Sequence, residues 1–458
     1  MKKLVFRLTL LMAGAVLLAV QDRVEFKTIV GIPHVFNPAK PLKGTINLEV
    51  ERTRTIDPYE QPDVGLRMIL FSRDEAGQVI LYDPNGAEAH RFGPDGKYLG
   101  LLTKKGQGPG EFSPMQGYRA YFSGPDIWVF GGMKVARLDG SGSLIKDKVL
   151  RNRCYSGVDA QRFLTIDTKW NENKDQAWTL RLIEFSMDGE ESGVDLLQAI
   201  NIGMIKNPSG QGGFGDSWGT PNFFYTADPD HGRILCGLNT EYKIQVKDYS
   251  GKDILVIQKA HENIKTKKAD IEKHMSWALK NENSKWMISA YPARYIAIKD
   301  VKPLPQGYLA AFRVSGPEVF EIDVFSPKGE YLYALIPPPD VKMTDASFFS
   351  TGFATVERAE DYSVYREYRI KIFLKYSGSE SGVYSLTSAL SFKPRAFMTF
   401  RIVSKPGLRS PERALYRLSR DSPASRATLD MPLARAMSPR ALAIKAASPR
   451  ASSKHASR

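Results

Sequence analysis

Four aspartates recur at matching places in this chain, each in a turn that precedes an apolar run. Asp74 stands ahead of QVILYD, Asp126 ahead of IWVF, and Asp228 and Asp230 ahead of RILCGL. Carboxylates gathered from several chain segments can ligate a divalent cation such as Ca²⁺ or Zn²⁺, which would polarise a substrate or activate water. Aspartate at such a place also has an ordinary use, because its side chain bonds nearby backbone N–H groups and closes the turn. The surrounding residues (Asp74-Glu-Ala-Gly77, Ser123-Gly-Pro-Asp126, Asp228-Pro-Asp-His-Gly232) are turn formers, so turn chemistry is the stronger reading. The histidines His34, His90, His231, His261, His274 and His455 share no repeated position and form no H-E-x-x-H or H-x-H pair. No G-x-S-x-G elbow is present either. No catalytic residue, no metal ligand and no cofactor site is assigned.

Two glycine-rich stretches invite a ligand-binding reading. The first, KKGQGPGEF, carries Gly106, Gly108, Pro109, Gly110, Glu111 and Phe112. Its spacing matches neither G-x-G-x-x-G nor G-x-x-x-x-G-K-[ST], and no helix pattern follows to hold a phosphate. A structural turn fits better. Proline fixes its own φ, Gly110 after it can take positive φ, and Phe112 is free to pack between the flanking units. The second stretch, Asn201 to Asn222, holds Ser209-Gly-Gln-Gly-Gly-Phe-Gly and Trp218, the better surface candidate among six tryptophans for a sugar or peptide platform. Trp128, inside a strand pattern, reads as core. Cys154 and Cys236 are the only cysteines and lie in no C-x-x-C pair. A single bridge and two buried thiols both stay open, the second being commoner in a large core.

The elements that must position these residues emerge from a repeat. An apolar strand end, a short polar turn with a glycine, and a new strand recur as FGPDGKYL, LDGSGSLI, FSMDGEES, VKDYSGKDIL, FSPKGEYL and LKYSGSES. The turn glycines are Gly96, Gly142, Gly189, Gly251, Gly329 and Gly378, spaced 46, 47, 62, 78 and 49 residues apart. The 62-residue interval contains the second glycine stretch. The 78-residue interval contains His261 to Trp286, where Ile264, Ile271, Met275, Ala278 and Leu279 fall at helical spacing. With the aspartate-bearing turns upstream, each unit reads as four short strands, the pattern of a β-propeller blade. Six units predict an all-β, six-bladed β-propeller over 21–376 with one helical insertion at about 261–287. The unpaired strand Thr45 to Ile56 is expected to join the last blade beside FATVER and YRIKIFLKY, hiding edges that an open array would expose.

The blade pattern, the KGQGPGEF turn and GFATVERAEDYSVYREYRIKIF resemble the bacterial exported six-bladed β-propeller proteins related to the NHL-repeat family, over roughly Leu42 to Tyr376. That resemblance implies an exported propeller and leaves its activity open. Two functions are weighed. The first is a non-catalytic binding or scaffold protein that engages a protein, peptide or glycan on a propeller face, as a monomer. The other is a metal-dependent hydrolase or lyase of the lactonase or amidating-lyase type, with Ca²⁺ or Zn²⁺ at the axis.

The two ends of the chain differ from the body. Met-Lys-Lys to Arg7 followed by the apolar run Leu8 to Val20 matches a signal peptide over 1–20, with export to the periplasm or the extracellular space expected. The formal charge of +14 is concentrated beyond Tyr376, where 15 Lys/Arg face 4 Asp/Glu, leaving 49 against 46 in the body. The body's charge therefore gives no reason to expect nucleic acid. Residues 377–458, rich in Ser, Ala, Pro and Arg, cannot bury enough apolar surface to offset ordering, and read as a disordered or frame-shifted extension.

Overall fold

The strand Val79–Asp83 shows why each repeat must sit between two others. Successive side chains of a strand point to opposite faces, and here all five residues are buried. Val79 and Leu81 join one apolar cluster, Ile80 and Tyr82 another. The same division sets Ile127 and Val129 against Trp128 and Phe130, and Leu309 and Ala311 against Ala310 and Phe312. A sheet apolar on both faces is stable only when covered on both.

This computed structural model describes residues 23–384, apart from 62–63, 65, 67, 115–117, 171–174, 207–211, 215–218, 317–318, 342, 344–345, 359–361 and 377–378. They form a six-bladed β-propeller. From the innermost strand outward, blade 1 is Leu70–Arg73, Val79–Asp83, Glu88–Phe92 and Tyr98–Thr103, and blade 2 is Arg119–Ser123, Asp126–Gly131, Lys134–Leu138 and Leu144–Val149. Blade 3 is Ser156–Asp159, Arg162–Trp170, Gln176–Phe185 and Glu191–Ile200, and blade 4 is Phe223–Asp228, Arg233–Leu238, Lys243–Asp248 and Asp253–Lys259. Blade 5 is Ile298–Pro303, Leu309–Gly316, Val319–Phe325 and Tyr331–Ile336, and blade 6 begins with Ser347–Phe349, Gly352–Arg358 and Ser363–Tyr376. Apolar clusters fill the gap between every neighbouring pair, blade 6 to blade 1 included.

The ring closes as expected from the lone upstream strand. Glu49–Ile56 runs antiparallel to Ser363–Tyr376, pairing Ile56 with Tyr365 and Glu49 with Lys371. Thr45–Asn47, expected in the same strand, instead pairs in parallel with Tyr331–Ile336 of blade 5. The segment before it carried no strand expectation because its prolines interrupt the pattern. It forms a hairpin, Glu25–Ile29 with Ile32–Asn37, whose second strand lies parallel to Asp253–Lys259 of blade 4. One N-terminal arm thus runs along the outer edges of blades 4, 5 and 6.

Two boundaries differ from those expected. The insertion after blade 4 is three short helices, Lys268–His274, Ser276–Leu279 and Trp286–Ser289, rather than one. Met275 leaves helical geometry between the first two, and Ile264 packs in the core with Tyr295 and Ile296. The sheet also continues past Tyr376, since Ser379–Tyr384 pairs with the second half of Ser363–Tyr376. This strand lies in the stretch assigned to the tail, where its small polar residues give no strand pattern. Residues 1–20, where a signal peptide is expected, and 385–458 lie outside the described residues. Among the described residues, no helix is long and apolar enough to cross a membrane.

Candidate functional site

Four-stranded antiparallel blades put the inter-blade connections on one face of the ring and the first and third turns of each blade on the other. The aspartates belong to that second face. Asp74 accepts the Gln78 N–H at 2.7 Å, which is turn closure. Asp126 pairs with Arg137 at 2.7 Å. Asp228 is buried, bonded to Arg233 at 2.7 Å and to the His231 ring at 3.0 Å. Asp230 is exposed in the short turn Pro229–His231. Each of the first three is thus committed to its own blade, and among the described residues no three His, Cys, Asp or Glu side chains converge as metal ligands would.

KKGQGPGEF connects blade 1 to blade 2 and folds back on itself. Gly106 N–H donates to the Phe112 carbonyl at 2.9 Å, Phe112 N–H to the Lys104 carbonyl at 3.1 Å, and Gly108 N–H to the Glu111 carboxylate at 3.0 Å. Gly110 has φ of +68°, the conformation its place after Pro109 anticipated. A Cβ on Gly106 would lie 2.0 Å from Glu111 Oε2, so any other residue would have to displace this carboxylate from the loop. Blade 2 holds the loop through Lys134, which donates to the Gly108 carbonyl at 2.7 Å, and Asp147, which accepts from Gly110 at 2.9 Å. The backbone hydrogen bond from Gly108 and the Lys104 ammonium hold the half-buried Glu111 carboxyl below the usual carboxylate range. Phe112 is buried against Tyr118, among residues of both blades. Trp218 lies outside the described residues.

The ring axis is bounded by the six inner strands. Sequence reasoning offered no signal for Tyr225 on an inner strand of blade 4, which feels the charges of Arg119 in blade 2 and Asp300 in blade 5. Burial pushes the Tyr225 hydroxyl up to about 12, Arg119 opposing and Asp300 adding to that shift. Asp300 pairs with Lys302 at 2.6 Å, while Arg119 makes no ion pair among the described residues. Cys154 and Cys236 are separate buried thiols in different inter-blade clusters. Burial raises both, Cys236 to about 12, so neither is poised as a nucleophile.

Between blades 4 and 5, Asp323 is fully buried and receives Lys259 at 2.5 Å, the Tyr331 hydroxyl at 2.7 Å and Arg313 at 3.1 Å. The Lys259 ammonium also lies 4.2 Å from the Tyr331 ring centroid. Paired in this way and shut off from solvent, the cluster joins two blades and presents no open reactive atom.

The outer edges are where the ring differs most from blade to blade. Blades 4, 5 and 6 have theirs covered by the arm. Among the described residues, the outer strands of blades 1, 2 and 3 have no further strand partner. Blade 2 places Lys146, Asp147 and Lys148 along its edge and blade 3 places Glu191 and Asp195. The blade 1 edge, Tyr98–Thr103, contains no charge, and Leu99 and Leu101 are 53% and 49% exposed on it. An uncharged apolar edge is what soluble sheet proteins usually avoid.

No family model matches this chain, and no curated protein matches it. Solved structures similar to it include a Bacteroides fragilis NCTC 9343 protein named for its expected export, at 12% identity over 72% of this chain and 99% of that one, with a TM-score of 0.39. A DUF4221 family member from Bacteroides vulgatus has 12% identity over 71% and 99%, with a TM-score of 0.37. Virginiamycin B lyase from Staphylococcus aureus has 12% identity over 70% and 99%, with a TM-score of 0.35. At these identities and scores the likeness says nothing of what this chain binds or converts.

Proposed function

We propose that this chain is an exported, non-catalytic propeller that serves as a rigid binding scaffold in the periplasm or outside the cell. Its partner is a protein or peptide that adds a strand to the edge of blade 1. The observation that carries this reading is the contrast at Tyr98–Thr103, an uncharged edge with two exposed leucines in a ring whose other open edges carry charges. The chain completes its own edges in the same way, with Ile32–Asn37 on blade 4 and Thr45–Asn47 on blade 5. Strand addition gives affinity through backbone hydrogen bonds and specificity through alternate side chains. Leu99 and Leu101 are two residues apart, as such alternation needs, and an apolar edge favours a peptide over a glycan. Export is supported by the basic start and the apolar run Leu8 to Val20.

The test is chemical cross-linking of the tagged chain in its producing cell, with the Leu99→Asp, Leu101→Asp double variant beside the wild type. Adducts of one partner mapping to residues 97–105 should appear with the wild type and vanish with the variant. Identical adducts from both forms would defeat the proposal. The metal-dependent hydrolase or lyase is checked separately, by incubating the purified chain with Ca²⁺ or Zn²⁺. No stoichiometric metal and an unchanged Tm are expected. A bound ion with a raised Tm would move the reading to that enzyme class.

A further inference from the structure

The junction where the ring closes contains a cleft of about 320 Å³, bounded by the closing strand, blade 1 and blade 6. Thr53 and Arg54 reach it from the closing strand, Arg73 from blade 1, and Phe349, Thr351 and Arg369 from blade 6. Three guanidinium groups thus share the cleft with one carboxylate, that of the buried Glu367.

The three arginines are not equivalent. Arg54 closes the ring through its two terminal nitrogens. Its Nη1 donates to the carbonyls of Gly77 at 2.8 Å and Pro94 at 2.9 Å, and its Nη2 is bonded to Glu367. Arg73 gives Nε to Glu367 at 3.0 Å and Nη1 to the Asp74 carbonyl at 2.8 Å, with its Cζ 4.1 Å from the centroid of the Phe349 ring. Among the described residues its Nη2 has no partner. Arg369 is exposed and makes no ion pair among the described residues. The wall therefore offers donors from two guanidinium groups and the Thr351 hydroxyl beside one aromatic ring.

We infer that this cleft binds a small organic phosphate monoester, its dianionic head on Arg73 and Arg369 and its apolar part against Phe349 and Pro94. Three guanidinium groups against the one carboxylate of Glu367 leave an excess of positive charge that suits a dianion, and the planar fork of arginine matches the oxygens of a phosphate. The volume suits a small molecule and excludes a folded partner. The bound molecule would touch three chain segments that meet only when the ring is closed, so it stabilises the closed state by mass action. This site is independent of the partner edge on blade 1.

The experiment uses the full chain with phenyl phosphate as probe, and with inorganic phosphate and phenyl sulfate as comparisons at matched ionic strength. Calorimetric titration and thermal unfolding should show saturable binding of phenyl phosphate, weaker binding of inorganic phosphate without the ring contact, and the weakest for the singly charged sulfate ester. Arg369→Gln, at an exposed position without ion pairs, should fold normally and bind about tenfold less tightly, as loss of a charged hydrogen bond implies. Thr351→Val should weaken binding by about threefold. Equal responses from the wild type and Arg369→Gln, or phenyl sulfate binding as well as phenyl phosphate, would overturn the assignment. So would the absence of any saturable signal.

Discussion

Blades 1 to 3 and blades 4 to 6 share one core design and differ at their rims. Each half packs apolar side chains between neighbouring sheets. Only the second half wears the arm. The buried charges divide in the same way: Asp228, Arg233, Lys247, Lys259, Asp323 and Glu367 all lie in blades 4 to 6, whereas among acidic and basic side chains the described part of blades 1 to 3 buries only Asp83 and His90. At Lys259 and Glu367 the arm's strands help to remove water from groups that then have to be paired, whereas Asp228 and Arg233, on the two innermost strands of blade 4, are paired against blade 5. The ion pairs in turn fix the arm. Glu367 joins the closing strand to blade 1, and Asn37 joins the arm to blades 4 and 5. The open half keeps its charges at the rim and leaves its edges available.

The largest effect expected from this contrast is at the closure. Arg54→Ala removes the principal partner of a buried carboxylate and should cost about 3–5 kcal/mol in urea unfolding. The matching change on the open side, Arg137→Ala, breaks the pair with Asp126 where the arginine is 43% exposed, and should cost less than about 1 kcal/mol. Equal losses would erase the distinction between the halves. Next in size is Asn37→Ala. The Asn37 side chain accepts the Tyr331 N–H at 2.7 Å and donates to the Gly329 carbonyl at 2.8 Å and the Gln258 carbonyl at 3.2 Å. Leaving these groups unsatisfied should cost about 1–3 kcal/mol and speed amide exchange at Tyr331.

How much of this was legible without coordinates follows from what each residue's role depends on. The blades were legible because a strand buried on both faces writes a continuous apolar run, as VILYD does, and because each third turn repeats its glycine. The closing strand was legible through the alternation in TINLEVERTRTI. The start of the arm was not. IPHVFN has a single fully hidden apolar residue, Val35, and its pairing is decided by an edge more than two hundred residues away. The ring-closing cleft was equally hidden, since Arg54, Arg73 and Arg369 stand in ordinary strand contexts and meet only through closure. The rim leucines look like core in the sequence, because YLGLLT does not reveal that no strand follows outside it.

A smaller effect tests the covered half through pH. His261 follows the outer strand of blade 4, edge-on to Tyr242 at 5.4 Å between ring centroids. Burial first, then the charges of Lys259 and Arg313, hold its imidazole down to about 4, against the opposing Asp323 and Glu262. The folded state therefore binds fewer protons than the unfolded chain between about pH 6.5 and 4. The histidine's contribution is complete above the upper limit and is lost as pH falls through that window. Relative to His261→Gln, the wild type should lose on the order of 1 kcal/mol across it, a value discounted because the ring is only half-buried. A constant difference between the two forms from pH 7 to 4 would show that the imidazole is solvated and the cover incomplete.

The smallest effect on stability belongs to the blade 1 edge. Leu99→Lys with Leu101→Lys replaces two exposed side chains on a strand without an outer strand partner among the described residues, so unfolding should change by no more than about 0.5 kcal/mol. The counterpart is Val35→Lys, which forces a charge into a position of the arm that is 1% exposed and should cost several kcal/mol. The leucine pair is informative because its two possible outcomes separate rim from core. If stability holds, Leu99 and Leu101 contribute nothing to the folded monomer, and a need for them must come from outside the chain. If stability falls by 2 kcal/mol or more, the leucines are packed in the isolated protein, blade 1 has a cover of its own, and the two halves of the ring are alike.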